Sequence, residues 1–379
     1  LNAFPGAEDA EQVQFENAVT LLKLNRLEEA VANFKEFTRR FPDDHRNVEA
    51  EYQIGKYYIE QGDITQARQH LQRAVTLHEN LVDKGLEGYP KFVAYALSQL
   101  LEWQMDDYMA LDYDNPNTLS SDRQRKQAMK TELEEGYRDL VNLRQQESIR
   151  AIYKLCVIDE ELARTELNRT MPSGLTELER LAKREEILTA AVPLYITAAN
   201  TYYAGAEELD SWVRELQDQR PQVETRIDSL EALTTSIDGI PPDSQVVLDQ
   251  QRKVLTEIGE SIDLANSLQD SCLEQFAAAY LRGGEEVQAL MNGYFDLPEP
   301  PGNRMDRTYT ELATLDFAAL FGRNAVALYK DAYVAIDTAE GIEAPKQQAV
   351  EESKQIYRRV YSKYDALVDK VQNYIDLNM

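Results

Sequence analysis

The chain has 379 residues and a net charge of −27, with 40 Lys+Arg against 67 Asp+Glu; that length exceeds one compact core and implies two or three domains or an extended array. So acidic a surface is repelled by nucleic acid and by anionic membrane, and no apolar run approaches the ~20 residues of a membrane span. Charged residues are 28% of the chain, Gly and Pro number only 16 and 13, and strong helix formers dominate with no alternating strand pattern, so the class is all-α.

Residues 1–10, with Pro5-Gly6, read as a flexible lead-in. The chain begins at Leu1 rather than methionine and shows no signal-peptide pattern, so a preceding segment is expected to have been removed. From Val13, apolar residues at Ala18, Leu21, Leu22 and Leu24 predict a helix, Asn25-Arg26-Leu27 a turn, and Glu28 to Phe41 a second helix stopped at Pro42. The pattern then restarts. Glu49 to Gln61 is a helix, Gly62-Asp63 a turn, and Thr65 to about Asp83 a helix, with Ala67 standing 37 residues after Ala30. Helices of this length pack closely only where small side chains face each other, and the pairs Ala18/Ala30 and Gly55/Ala67 are expected to supply those contacts. Phe34, Tyr58 and Leu71 would then fill the gap to the neighbouring repeat.

In these residues the stretch resembles the tetratricopeptide repeat family, whose period is about 34 residues; three extra residues follow Pro42. The first repeat has Ala18 where the family prefers glycine and Phe37 where it prefers alanine, and the second has Glu79 in place of the terminal proline. The resemblance implies that the first helix of each repeat lines a partner-binding groove. That places Phe15, Val19, Leu22 and Lys23, then Tyr52, Lys56, Ile59 and Glu60, along it. The family's Lys/Asn clamp for chaperone carboxylates is missing, because Phe15 and Val19 occupy its first-repeat sites. Two repeats rarely hold an array alone, so the helix from Pro90 to about Leu111 is expected to cap them, closing a repeat segment over 11–111.

Beyond a polar loop, Asp112 to Asp122, a helical bundle is expected over 119–205, broken at Met171-Pro172-Ser173-Gly174. The loop lacks the glycine and the terminal acid of a calcium site. Arg123, Arg125, Lys126 and Lys130 read as a solvated helix face, as do the acid pairs Glu134-Glu135, Glu160-Glu161 and Glu185-Glu186. Over 206–282, Leu209, Val213, Leu216, Val223, Ile227 and Leu230 are answered after Gly239 by Val247, Val254, Ile258, Ala265, Leu268 and Cys272. These steps of four and three predict an antiparallel coiled-coil hairpin with a bend at Pro221, and Pro193 should kink the helix before it. After Gly283-Gly284 a short helix should lead to the Pro298–Gly302 loop, and a C-terminal helical hairpin should fill 305–379.

No catalytic or cofactor-binding pattern is present: there is no P-loop, dinucleotide fingerprint, nucleophile elbow or Glu-x-x-His pair. His70 and His78 read as surface residues rather than metal ligands, and Cys156 and Cys272 as small buried side chains, a disulfide being left open. The 21 tyrosines read as packing residues, with an aromatic partner-binding patch as the alternative. The expected function is a non-enzymatic protein–protein interaction scaffold, without cofactor or metal, for a protein partner with a basic surface. The coiled-coil arm would set a distance or mediate oligomerisation. The Phe41-Pro42-Asp43-Asp44 ending is similar to bacterial cell-envelope repeat proteins, which implies a periplasmic or outer-membrane-associated place, lipid-anchored or secreted. The alternative is a cytoplasmic adaptor of a signalling or secretion complex.

Overall fold

Residues 10–235 and 242–295 are described by a computed structural model, and among them every regular element is a helix. The lead-in before Ala10, the turn at 236–241, the Pro298–Gly302 loop and the 305–379 hairpin lie outside the described residues. In chain order the helices are α1 (Ala10–Lys23), α2 (Leu27–Arg40), α3 (Asn47–Glu60), α4 (Ile64–Asp83), α5 (Pro90–Met109), α6 (Leu119–Asn142), α7 (Gln146–Leu167), α8 (Glu177–Thr235) and α9 (Pro242–Phe295). Two units emerge from their contacts: residues up to Ala110 with Met129–Ala151, and Leu111–Ala128 with the residues from Ile152 onward.

The first unit is organised by one turn used three times. Asn25 takes φ +56°, and the amides of Asn25 and Arg26 donate to the carbonyls of Leu22 and Leu21, each at 2.9 Å. Thirty-seven residues on, Gly62 takes φ +75°, and Gly62 and Asp63 donate to Ile59 and Tyr58 at 3.0 Å. Gly85 repeats it at φ +71°, with Gly85 and Leu86 donating to Val82 and Leu81. Each is a Schellman ending, in which a left-handed residue satisfies the last carbonyls of a helix. Asp63 then caps α4 by accepting from the Gln66 amide at 3.1 Å, and Pro90 opens α5 where its missing N–H costs nothing.

Packing follows from where side chains are small. Ala18 and Ala30 are fully buried between α1 and α2, in a core completed by Phe15, Phe34, Phe37 and Ile54. Gly55 faces Leu71 rather than the expected Ala67: a Cβ at 55 would stand 2.6 Å from the Leu71 Cδ2. Leu71 in turn joins Val48, Val75, Val93, Ala96 and Leu100 in a second cluster, so α5 does cover the repeats. Gly136 of α6 meets Leu101 of α5 in the same way, with a Cβ position 2.5 Å from Leu101 Cδ2. At Gly55 and Gly136 the close contact is thus glycine against leucine, while Ala18 and Ala30 are both buried between α1 and α2.

In the second unit α8 and α9 run antiparallel, joined by Arg184 to Glu286, Tyr203 to Phe276 (ring centroids 5.7 Å) and Arg252 to Glu231 (2.7 Å). Thr176 and Glu179 form a reciprocal capping box at the start of α8, the Thr176 amide donating to Glu179 at 2.8 Å and the Glu179 amide to Thr176 Oγ1 at 3.3 Å. Pro193 and Pro221 lie inside α8 on its exposed side, where the carbonyls they leave unbonded can reach water. Of the predicted α9 stripe Ile258, Ala265 and Cys272 are buried, but Val247 and Val254 are exposed, with Leu248 buried beside them. α9 also runs through Gly283-Gly284 to Phe295 instead of ending there.

Buried charge is the other departure from the predicted surface. Lys126 is 0% exposed and donates to the Leu111 carbonyl (2.8 Å), Thr165 Oγ1 (2.6 Å) and Glu161 (3.0 Å). Arg123 pairs with the buried Glu166, and Glu160 accepts from Tyr202 and Arg282, each at 2.6 Å. Lys126 and Glu161 are therefore a buried ion pair rather than parts of solvated faces, while Arg125 stays exposed and Lys130 pairs with Glu134 on its own helix. Burial lowers the Lys126 pKa against the pull of Glu161, whereas Arg164 and Lys126 hold the Glu161 carboxyl below its ordinary value despite burial. Removing Lys126 leaves the buried Glu161 with Arg164, at 2.7 Å, as its cation.

Urea unfolding of two sets of variants checks these assignments. Gly62→Ala, strained by its φ but sterically free, should cost about 1 kcal/mol, whereas Asn25→Gly should be neutral. Lys126→Ala should cost about 3 kcal/mol, and Lys126→Met with Glu161→Leu clearly less. A double variant as damaged as the single one would contradict the ion-pair assignment.

Candidate functional site

The eight residues expected to line the repeat groove fall into two groups. On α1, Phe15 is 8% exposed, with its ring 5.7 Å from that of Phe34 and 5.2 Å from that of Phe37. The Arg46 guanidinium sits 5.4 Å from both the Phe15 and Phe37 rings. Phe15 is therefore a core residue, with no face left for a partner. Val19 and Leu22 are half-buried against the same core, and Lys23 is exposed. On α3, Tyr52 and Ile59 pack instead on the second cluster with α5, while Lys56 and Glu60 are exposed.

The α3 group has aromatic neighbours that the periodicity of α3 alone does not reveal. Tyr52 lies 5.1 Å from Phe92 and 5.3 Å, edge-on, from Tyr95. Tyr89 stacks on Phe92 at 6.2 Å, and His45 stacks on Tyr89 at 5.7 Å. A run of five rings, His45–Tyr89–Phe92–Tyr52–Tyr95, thus crosses from the α2–α3 junction to α5, each of them partly or fully accessible. A depression of about 570 Å³ lined by His45, Leu86, Tyr89 and Phe92 opens at one end of the run. His45 is the last of the three residues between Pro42 and Arg46.

Acids surround these rings. Burial pushes the Tyr52 hydroxyl up to about 12, and Tyr95, Glu147, Glu49 and Glu60 add to the rise. Tyr95 is raised by burial and then by Glu60 and Glu147. Burial also raises the Glu49 carboxyl. Half-exposed ring faces ringed by carboxylates are complementary to a cation, through both the ring quadrupole and direct charge.

The histidines of α4 are buried rather than exposed. His70 Nδ1 lies 2.6 Å from the carboxylate of Glu51 and its ring stacks on Tyr58 at 5.6 Å. His78 Nδ1 accepts the Tyr89 amide at 2.9 Å, and Gly88 leaves room for its ring. Among the described residues no group of three or more His, Cys, Asp or Glu is placed to hold a metal ion, and no helix is long and apolar enough to cross a membrane.

The tetratricopeptide repeat family model matches residues 49–80, most of α3 and α4. That helical pair is similar to one tetratricopeptide repeat. No curated protein matches the chain. Solved structures that match include a circular tandem repeat protein with novel repeat topology and enhanced subunit contact surfaces, 14% identical over 97% of this chain and 90% of that one. Its TM-score of 0.19 carries no argument about the fold.

His78 makes a pH dependence testable. Its ring must be unprotonated at Nδ1 to accept the Tyr89 amide, and burial lowers its pKa below the ordinary 6.5. The unfolded chain then binds the proton more readily. Stability is full above 6.5 and is lost as pH falls through the folded value. Between about pH 7 and 5 the urea midpoint should fall more steeply for the native chain than for His78→Gln, whose amide oxygen accepts without titrating. Parallel slopes would remove His78 as the cause.

Proposed function

We propose that the chain is a non-enzymatic interaction scaffold that holds a basic segment of a partner protein on the aromatic face of α3 and α5. The observation that carries the reading is the half-exposed Tyr52–Phe92–Tyr95 group with Glu49, Glu60 and Glu147 around it. Aromatic anchors dominate protein interfaces, and a net charge of −27 would steer a basic partner toward the chain. Lys56 and Ile59 of α3 extend the surface, while Phe15, Val19 and Leu22 belong to the separate core of α1 and α2. The tetratricopeptide repeat at 49–80 supports a protein rather than a small molecule as ligand. The place of action proposed is a bacterial cell-envelope assembly, periplasmic or attached to the outer membrane, on the strength of the Phe41–Asp44 ending. The α8–α9 hairpin would set spacing or self-association in that assembly.

Fluorescence anisotropy with a set of Lys/Arg-rich peptides and their Asp/Glu counterparts tests the surface. Basic peptides should bind, more weakly as salt rises, and Tyr52→Ala with Tyr95→Ala should weaken them roughly tenfold or more. Equal binding of acidic peptides, or no loss in the double variant, would sink the assignment. Fractionation of cells expressing the gene with its own upstream region tests the compartment, and recovery in the cytosol alone would refute the envelope reading.

A further inference from the structure

The chain has two cysteines, Cys156 on α7 and Cys272 on α9, separated by more than a hundred residues of sequence, and the fold brings them to one point. That point is Gly205 of α8. A Cβ built there would stand 2.6 Å from the Cys156 Sγ and 3.5 Å from the Cys272 Sγ. The Cys156 thiol also lies 3.4 Å from the Ile152 carbonyl and 3.3 Å from the Thr201 carbonyl. Both thiols are free and almost wholly buried, at 1% and 0% exposure. Any larger residue at 205 would occupy the space in which the two sulfurs meet.

We propose that Cys156 and Cys272 are a disulfide site, closed by exchange with a small disulfide while the helices assemble, that straps α7 to the α8–α9 hairpin. One cysteine, as thiolate, attacks a sulfur of the small disulfide and releases one small thiol, leaving a mixed disulfide. The second cysteine attacks the protein sulfur of that intermediate and releases the other small thiol. Both cysteines are thereby oxidised, the small disulfide is reduced to two thiols, and these take up the two cysteine protons. Timing follows from burial. The Cys272 thiol at hydrogen-bonding reach and burial both push the Cys156 thiol far above its ordinary value. A folded, reduced molecule therefore resists oxidation, and exchange belongs to the open chain. The site does not depend on the aromatic face or on any partner.

The experiment uses the full chain, reduced and unfolded in guanidinium, then refolded with oxidised glutathione or with a phosphine reductant. Refolding with oxidised glutathione should give a mass loss of about 2 Da, two hydrogens. A protease digest should yield one linked pair of peptides carrying residues 156 and 272. The melting temperature should rise by a few degrees and return on reduction, because the bond closes a long loop. Cys156→Ala and Cys272→Ala, each shown to be helical by circular dichroism, should lose the cross-link and the thermal shift. Helical refolded protein with two free thiols, with glutathione on each cysteine, or with bonds only between chains would each overturn the proposal.

Discussion

The approach of one helix to another at a missing side chain is the contact on which both units depend. Gly55 admits Leu71, Gly136 admits Leu101, and Gly205 admits Cys156; in each case a Cβ would stand within 2.6 Å of the incoming side chain. In the first pair of helices Ala18 and Ala30 perform the same service at zero exposure. Close approach of this kind fixes register as well as distance, because the incoming side chain fits at only one position along the neighbour. The Schellman turns then have little freedom left: they join helices whose relative height is already set.

The aromatic face depends on that geometry. Leu71, drawn in by Gly55, belongs to the same apolar cluster as Val93, Ala96 and Leu100 of α5. α5 therefore lies where Phe92 and Tyr95 meet Tyr52, and the acids of α3 and the start of α7 stand close enough to raise the tyrosine hydroxyls. In the second unit the cost of burial is met differently. Lys126, Glu161, Glu166 and Arg169 are all nearly inaccessible, and each has an opposite charge within reach. An ion-pair layer of this kind contributes little net stability but tolerates few alternative arrangements.

What could be read from residues alone was local. Helical class, the turns at Asn25 and Gly62 and the stop at Pro42 each rest on a few neighbouring side chains, and each stands in the structure. The resemblance implied Tyr52 and Ile59 in a groove, and both lie half-buried against the cluster that α5 completes. Phe15 has the same spacing, yet Phe34 and Phe37 arrive from α2 and close over it, which helix periodicity cannot express. Lys126 looked solvated because its partner Glu161 lies on another helix. The seam of α9 is offset, with Leu248 inside and Val247 outside, because the α8 partner chooses between adjacent apolar residues. The outcomes that escaped were those decided by a distant segment.

The three residues after Pro42 have a wider meaning for how such a chain acquires new surface. A repeat array keeps its core by holding helix length and the small-residue contacts constant, so the joints between repeats are where length can vary without disturbing it. Here the joint after Pro42 holds His45, whose ring stacks on Tyr89 and is one member of the aromatic run. The surface of such an array can therefore be edited at the joints between its helices while the helices that bear its stability stay untouched.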